Sequence, residues 1–224
     1  MTKTVVFDMD GLMFDTERMT ARIWEEIGAD FGARDVSALM PQVIGTKSDL
    51  IRRVFRERYG ADFPFERFMA RSREKTDAFV AANGVPVKPG LFALLRYLRE
   101  NGFTVAAASS TERARVLRYF RATGAEPYFS AIICGDMVKR SKPDPDIYLV
   151  AARETGTPPT DCMALEDSPQ GCLSACRAGM KTVMVPDLVQ PDARLRPLLY
   201  ACVPSLTDVI PLLKKERGAA GAEA

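Results

Sequence analysis

The chain of 224 residues contains no histidine. This absence excludes several kinds of catalytic site within the chain, namely Ser-His-Asp triads, Cys-His dyads, imidazole general bases and zinc sites with histidine ligands. Any catalysis near neutral pH must therefore come from carboxylates, lysine, hydroxyls, thiols or a bound metal.

Cysteine is scarce, and its pattern indicates neither a metal site nor a disulfide framework. The chain has five cysteines and no Cys-x-x-Cys pair. Cys172 and Cys176 could share one face of a helix, but a free cysteine is more often a small buried apolar residue than a ligand. We therefore expect reduced thiols and a cytoplasmic protein.

Long apolar runs and a strong excess of charge are also missing. No apolar run approaches the ~20 residues that a membrane span needs, and the N-terminal apolar stretch ends at Asp8, which does not fit a signal peptide. Thirty-one basic and 29 acidic residues leave a net charge of +2, which gives no indication of a nucleic-acid or membrane partner. We expect a monomer that binds neither.

The chain does contain an alternation of short apolar strands and helices after residue 86. Helices of about ten residues between strands favour right-handed crossovers and a parallel sheet. The predicted strands cover 5–7, 104–108, 131–134, 162–165, 182–185 and, more weakly, 201–203. The predicted helices cover 16–31, 47–59, 64–82, 91–101, 112–123, 146–155 and 169–178.

These elements predict an α/β fold. We expect residues 1–15 and 87–224 to form a Rossmann-like core domain with a parallel sheet, and residues 16–86 to form an all-helical domain inserted after the first strand. Residues 214–224 are charged and then rich in alanine and glycine, so we expect them to form a frayed tail.

Polar side chains follow four of the predicted strands, at the edge where an open parallel sheet binds its ligands. Acids follow two strands, hydroxyls follow a third and basic residues follow a fourth. In chain order they are Asp8, Asp10 and Asp15; Ser109, Ser110 and Thr111; Lys139, Arg140 and Lys142; and Glu166 and Asp167. We expect these side chains to converge at one edge of the sheet.

This combination of side chains suits phosphoryl transfer. Several carboxylates in one place need a hard divalent cation to offset their charge, and Mg²⁺ prefers oxygen ligands. The cation also neutralises a phosphate group, while lysine and short hydroxyls can hold the remaining phosphoryl oxygens. One aspartate can act as the nucleophile, and a second carboxylate can protonate the leaving group and later activate water.

Four motifs resemble those of the haloacid dehalogenase (HAD) superfamily. Residues 8–16, with the sequence DMDGLMFDT, resemble the DxDGxxxDT signature, and residues 108–110 (ASS) resemble the second motif. Residues 142–146 (KPDPD) resemble the third motif, and residues 165–168 (LEDS) the fourth. The resemblance covers nearly the whole chain. It implies that the helical insertion is a C1-type cap, in a subgroup similar to phosphoglycolate phosphatases and β-phosphoglucomutases.

The resemblance implies the metal-binding and proton-transfer roles. Asp8 would be the nucleophile and a Mg²⁺ ligand. Asp10 would be the general acid and base, with its backbone carbonyl on the metal. Asp167 would bind the metal directly, and Glu166 would bind it directly or through water.

The resemblance also implies how the phosphoryl group is held. Ser109 would bind it, with help from Ser110, and Gly11 would let the backbone turn beneath it. Lys142 would stabilise Asp8 and the phosphoryl charge. Lys139 and Arg140 compete for this last role, but Lys142 is the residue on the Lys-Pro-Asp-Pro pattern.

Several residues near these motifs have a structural interpretation. Ser109 could cap the following helix, which is compatible with phosphate binding at a helix start. Asp15 and Thr16 are expected to cap the first inserted helix. Asp144 and Asp146 are expected to shape their loop and cap a helix.

The inserted helices carry further candidates. Trp24 is expected in the core of the cap. A run of arginines is expected to be a solvated helix face, with the alternative that one of them, or Lys47, holds a distal group of the substrate. These arginines are Arg52, Arg53, Arg56 and Arg58.

We expect a Mg²⁺-dependent phosphatase that acts on a small phosphorylated metabolite through an aspartyl-phosphate. The alternative is a β-phosphoglucomutase-like sugar phosphomutase, but the similar mutases carry a histidine near the position of Thr20, and this chain has none. A non-catalytic phosphate-binding regulator is disfavoured because Asp8, Asp10, Lys142 and Asp167 are all present. Asp10 also disfavours a haloacid dehalogenase.

Overall fold

The centre of the fold is a parallel sheet. In the computed structural model, which describes residues 1–46 and 48–221, six strands form this sheet in the order β3-β2-β1-β4-β5-β6, and every neighbouring pair is parallel. The strands are β1 (Thr4–Phe7), β2 (Thr104–Ser109), β3 (Ala131–Cys134), β4 (Cys162–Glu166), β5 (Lys181–Met184) and β6 (Ala201–Cys202). The predicted α/β fold is confirmed.

The register of the sheet aligns the ends of its central strands. Phe7 at the end of β1 lies beside Ala107 on β2 and Leu165 on β4. The residues that follow these positions therefore leave the sheet at one edge. Val5, Val6 and Phe7 are fully buried, as expected of a strand that is covered by helices on both faces.

Helices cover the sheet and form the insertion. They are α1 (Thr16–Gly28), α2 (Met40–Val43), α3 (Ser48–Tyr59), α4 (Phe65–Asn83), α5 (Leu91–Glu100), α6 (Arg113–Thr123), α7 (Asp146–Glu154), α8 (Pro169–Arg177) and α9 (Val209–Gly221). Their apolar spacing explains their orientation: Leu91, Leu94, Leu95 and Leu98 of α5 are all fully buried on one face. No helix in the described part of the chain is long and apolar enough to cross a membrane.

The helices α1 to α4 pack around their own apolar cluster. Trp24 of α1 lies against Phe55 of α3 and Phe68 of α4, with ring centroids 5.2 and 5.9 Å away. The indole Nε1 donates a hydrogen bond of 2.9 Å to Ser72 Oγ, so the polar end of the ring is also satisfied. Trp24 therefore lies in the core of the insertion, as predicted.

Two paired linkers connect the insertion to the sheet. Asp15 N donates to Pro86 O at 2.8 Å, and Lys88 N donates to Met13 O at 2.9 Å. The Asp187 carboxylate, which is almost fully buried, lies 2.8 Å from both Arg18 on α1 and Lys88 on the returning linker. The entry and exit of the insertion are thus fixed beside each other at the edge where β1 ends.

The structure corrects two expectations from the sequence. The tail predicted to fray forms α9 up to Gly221, because Val209 and Leu213 are buried in the core and Glu216 bonds Lys181 and Thr2. The short helix α2 has no counterpart in the predicted elements, because its four residues are too few to show a helical period. Lys47 and residues 222–224 lie outside the described residues.

Candidate active site

The carboxyl ends of β1 and β4 bring acidic side chains to one lysine. Lys142 Nζ lies 2.5 Å from Asp8 Oδ1 and 2.5 Å from Glu166 Oε1, and it donates a third hydrogen bond of 3.1 Å to Ala108 O. Its side chain is 1% exposed. The three acceptors lie at the carboxyl ends of three adjacent strands, so the parallel register of the sheet brings them together.

The electrostatics of this lysine follow from its neighbours. Burial disfavours the Lys142 ammonium, but the charges of Asp8 and Glu166 outweigh burial and raise its pKa above the ordinary value. The ammonium also lies 5.1 Å from the centre of the Tyr148 ring. Lys142 therefore stays charged at neutral pH and is held in one place.

A cluster of three carboxylates lies around the end of β1. Asp8, Glu166 and Asp167 each offer an oxygen, and these oxygens all lie within 4.8 Å of one another. Burial raises the pKa of Asp8 to about 8, and burial together with the charge of Asp8 raises the pKa of Asp167 well above its usual range. Ionising the cluster therefore requires a further positive charge, and a donor set made of carboxylate oxygens fits a hard divalent cation.

The Glu166 side chain is saturated with hydrogen bonds. Oε1 accepts from Lys142 and, at 2.6 Å, from the Tyr148 hydroxyl. Oε2 accepts from the Ser168 hydroxyl at 3.1 Å, and this hydroxyl in turn caps α8 by accepting from Gly171 N. Direct binding of a metal by Glu166 would compete with these bonds.

Asp10 is oriented by two hydroxyls. Thr16 Oγ1 donates to Asp10 Oδ1 at 2.6 Å, and Thr111 Oγ1 donates to Asp10 Oδ2 at 2.7 Å. Gly11 follows with a φ of +82°, and a side chain at this position would overlap the Asp167 carboxylate. The residue type at position 11 therefore allows the loop after β1 to lie against the acidic cluster.

The predicted phosphoryl-binding serines occupy different places. Ser109 is fully buried at the end of β2, and its hydroxyl accepts a hydrogen bond of 3.1 Å from Thr111 N. Ser110 lines a cavity together with Asp8 and Asp10, and its hydroxyl donates to Gly45 O in the insertion at 3.2 Å. Of the two, Ser110 is therefore the serine that lines the cavity.

This cavity has a volume of about 170 Å³ and lies between the insertion and the sheet edge. Besides the predicted residues, it is lined by Glu17 and Thr20 of α1, Arg73 of α4 and Arg115 of α6. Burial, followed by the charges of Asp10 and Asp8, raises the pKa of Glu17 to about 8. Sequence reasoning missed Glu17, Arg73 and Arg115, because single charged residues on amphipathic helices carry no motif.

Several alternatives from the sequence lie away from this cavity. Arg52 forms an ion pair with Glu66, and Arg53 and Arg56 lie with Arg52 around a separate surface groove. Arg140 is exposed and lies 2.6 Å from Asp146 and 3.4 Å from Asp144. It does not reach the cluster that Lys142 occupies.

The capping expectations are wrong for the acidic side chains. Asp15 makes no side-chain hydrogen bond to the start of α1, and Asp146 makes none at the start of α7. Asp15 instead lies 3.5 Å from Arg18 and 3.6 Å from Lys88, so ion pairs at the linkers replace the cap. Thr16 likewise uses its hydroxyl to hold Asp10.

Comparison with known proteins places the chain in a family. The sequence profile of the family described as haloacid dehalogenase-like hydrolase matches residues 2–179. The chain belongs to the haloacid dehalogenase-like hydrolases. The match begins before β1 and extends beyond α8, so it includes the insertion and every motif residue of the site.

Individual relatives of this HAD-like hydrolase agree with the match. It is 35% identical over 81% of its length to a Drosophila melanogaster protein named "Probable pseudouridine-5'-phosphatase", of which 80% is covered. It is 33% identical over 82% of its length to (DL)-glycerol-3-phosphatase 2 of Arabidopsis thaliana, of which 79% is covered. The crystal structure of CbbY from Rhodobacter sphaeroides in complex with phosphate superposes with a TM-score of 0.76 at 28% identity, covering 93% of this chain and 96% of that one.

Proposed function

We propose that this HAD-like hydrolase is a Mg²⁺-dependent phosphatase that acts on a small phosphorylated metabolite. The observation that carries this proposal is the arrangement of Asp8. One of its oxygens is held by the buried Lys142, and its side chain lines the cavity beside Asp10. Two relatives carry the names "Probable pseudouridine-5'-phosphatase" and "(DL)-glycerol-3-phosphatase 2", and these names support a small phosphorylated substrate.

In the proposed reaction, Asp8 is the nucleophile. Because Lys142 holds Oδ1, the second oxygen is available to attack phosphorus. The bond from phosphorus to the ester oxygen breaks, and the leaving alcohol takes a proton from Asp10. Asp10 then removes a proton from water, the water attacks the aspartyl-phosphate, and inorganic phosphate leaves with Asp8 regenerated.

Lys142 and the hydroxyls stabilise this reaction by charge and position. Lys142 favours the ionised form of Asp8 against the effect of burial and opposes the negative charge that develops on the phosphoryl oxygens. Thr16 and Thr111 fix both oxygens of Asp10, which keeps the proton-transferring carboxyl beside the nucleophile. We propose that Ser109, Ser110 and the turn at Gly11 form the cradle of the phosphoryl group.

We propose that the divalent cation of this site is Mg²⁺, held by Asp8, Asp167 and the backbone carbonyl of Asp10, with Glu166 acting through water. When bound, the cation would offset carboxylate charge and polarise a phosphoryl oxygen. Support comes from the raised pKa of Asp8 and Asp167 and from the saturated hydrogen bonding of Glu166.

The insertion would act as a cover for the reaction. We propose that residues 1–15 and 87–224 form the core domain and residues 16–86 the cap domain. The separate apolar cluster around Trp24 and the paired linkers beside Asp187 support this division. A cap over the cavity would exclude bulk water from the first step and admit one water for the second.

The cellular compartment and the binding partners of the chain also belong to the proposal. All five cysteines are free thiols, which favours a reducing compartment and supports a cytoplasmic protein. We propose that the chain acts as a monomer on a metabolite and binds neither nucleic acid nor membrane, since its net charge is only +2.

The test is a screen of sugar, polyol, nucleotide and carboxylate phosphates for phosphate release with Mg²⁺, comparing the native chain with Asp8→Asn. We expect release from at least one group of compounds, loss of release on addition of EDTA, and no release by Asp8→Asn. Full activity of Asp8→Asn would refute the nucleophile assignment. No release from any compound would contradict the phosphatase proposal.

One arm of this screen separates phosphatase from mutase. β-Glucose 1-phosphate is incubated with the chain, and glucose 6-phosphate is measured beside free phosphate. We expect phosphate release to dominate, because Thr20, which lines the cavity, lies near the position where the similar mutases commonly carry a histidine. Isomer formation that outruns phosphate release would favour the mutase.

A further inference from the structure

The cavity beside Asp8 is lined by side chains of both charge signs. Its acidic residues are Asp8, Asp10 and Glu17, at the end of β1 and the start of α1. Arg73 of the insertion and Arg115 of α6 also line it, and both arginines line the adjoining surface groove of about 460 Å³ as well. The arginines therefore stand at the boundary between the inner cavity and the outer groove.

The two arginines differ from one ion-paired arginine on each of the same helices. On α4, Arg71 lies 2.7 Å from Glu74, and on α6, Arg121 lies 3.1 Å from Glu126. Within the described residues, Arg73 and Arg115 have no such ion pair. Acids lie in the outer groove, including Asp49 and Glu112, but none pairs with either guanidinium at hydrogen-bonding distance.

The environment of Arg115 makes this absence significant. Its Nε is buried and has no hydrogen-bond partner among residues 1–46 and 48–221. A buried N–H without an acceptor destabilises the folded state, so such groups in native proteins are normally satisfied by protein, water or a ligand. A guanidinium with free donors is suited to bind a carboxylate or a phosphate through paired hydrogen bonds.

We propose that Arg115, assisted by Arg73, binds a second anionic group of the substrate, remote from the phosphoryl group that is transferred. The preferred substrates are then phosphorylated metabolites that also carry a carboxylate or a second phosphate. This inference rests on the proposed phosphatase function and specifies the substrate class for the same cavity. Arg115 acts in specificity and not in the chemical step, because proton transfer and attack belong to Asp10 and Asp8.

The test compares substrates that differ in the second anion. 3-Phosphoglycerate against glycerol 3-phosphate tests a carboxylate, and fructose 1,6-bisphosphate against fructose 1-phosphate tests a phosphate. For the native chain we expect kcat/KM to favour the compound with the second anion by about tenfold or more in at least one pair, since hydrogen bonds to charged groups have this strength. The pair that shows the preference identifies the anion.

The variants are Arg115→Gln, Arg115→Lys and Arg73→Gln, with Arg71→Gln and Arg121→Gln as controls on the same two helices. We expect Arg115→Gln to remove the preference through KM while the rate on the singly phosphorylated partner changes by less than about threefold, and Arg73→Gln to reduce it partly. Arg115→Lys should keep part of the preference, because it keeps the charge, and both controls should keep all of it.

The outcomes separate this inference from the function on which it rests. Phosphate release without preference in either pair, or an equal loss on both members of a pair in Arg115→Gln, would overturn the inference and leave the phosphatase function standing. The absence of release from any of the four compounds and from the wider screen would instead contradict the phosphatase function. Thermal unfolding of each variant shows whether a loss of activity comes from misfolding.

Discussion

Replacement of Lys142 by methionine tests the electrostatics of the site most directly. Methionine keeps much of the length and apolar character of the lysine stem but removes the ammonium, which makes two contacts of 2.5 Å to carboxylates and one of 3.1 Å to a carbonyl. Asp8 and Glu166 are then left buried, adjacent and without their partner. We expect Lys142→Met to lose both its activity and part of its stability.

The size of the effect follows from burial. Removing one partner of a buried ion pair costs about 3–5 kcal/mol, because the remaining charge is uncompensated. For a chain of 224 residues, a loss of 1 kcal/mol lowers the melting temperature by about 2–4 °C, so we expect a decrease of roughly 6–20 °C. Arg140→Met is the matched control, since Arg140 is exposed and its ion pairs contribute at most about 1 kcal/mol.

The assay is urea and thermal unfolding in EDTA, between about pH 5 and pH 8.5. If charge is the cause, the loss of stability in Lys142→Met shrinks at low pH, where Asp8 accepts a proton. The double variant Lys142→Met, Glu166→Gln should recover part of the lost stability, because it removes one unpaired charge. A Lys142→Met chain within about 1 kcal/mol of the native one, or a loss that is independent of pH, would refute the reasoning.

Two further predictions concern the cation and the loop after β1. Burial holds the pKa of Asp8 and of Glu17 near 8 in the folded chain. Without metal, the folded state therefore binds more protons than the unfolded state from about pH 4 to pH 8. The free energy of unfolding consequently falls as the pH rises over this range. Melting temperatures in EDTA should fall as pH rises, with a stabilisation by Mg²⁺ that grows with pH; a flat profile would contradict this. Gly11→Ala should weaken Mg²⁺-dependent stabilisation and activity at least about tenfold, because the new side chain would overlap Asp167. Gly102→Ala is the control: Gly102 also has a positive φ but lies in open space, so this variant should show the effect of backbone strain alone. Equal effects of the two glycine variants would contradict the proposed contact.

Much of the fold could be predicted from the sequence because its signals are local. Short apolar runs such as 5–7 and 162–165 are fully buried, and a buried parallel strand appears as a continuous apolar run. The predicted strands agree with the observed bounds to within one residue. The convergence of Asp8, Lys142 and Glu166 also follows from topology, since parallel strands present their carboxyl ends at one edge.

The rest depends on contacts between distant segments. The helix α9 is stabilised by Lys181 and Thr2, which bond Glu216 from far along the chain, so composition alone indicates a frayed tail. Thr111 holds Asp10 from a separation of 101 residues. Arg115 and Arg73 face one cavity only because the insertion folds over the sheet, and neither belongs to a sequence pattern.

The charges of the site explain why Arg73 and Arg115 matter for the binding of an anionic substrate. Lys142 and one divalent cation would together offset the three carboxylates Asp8, Glu166 and Asp167 and would leave no net positive charge in that cluster. A phosphate monoester brings about two negative charges at neutral pH, and Asp10 and Glu17 line the same cavity. The proposed catalytic cluster therefore has no positive charge left for a second anionic group of the substrate, and attraction for that group must come from outside the cluster. In the described part of the chain, the guanidinium groups that line the cavity are those of Arg73 and Arg115. In this proposal, recognition of the second anion belongs to the arginines of the cavity and catalysis to its carboxylates.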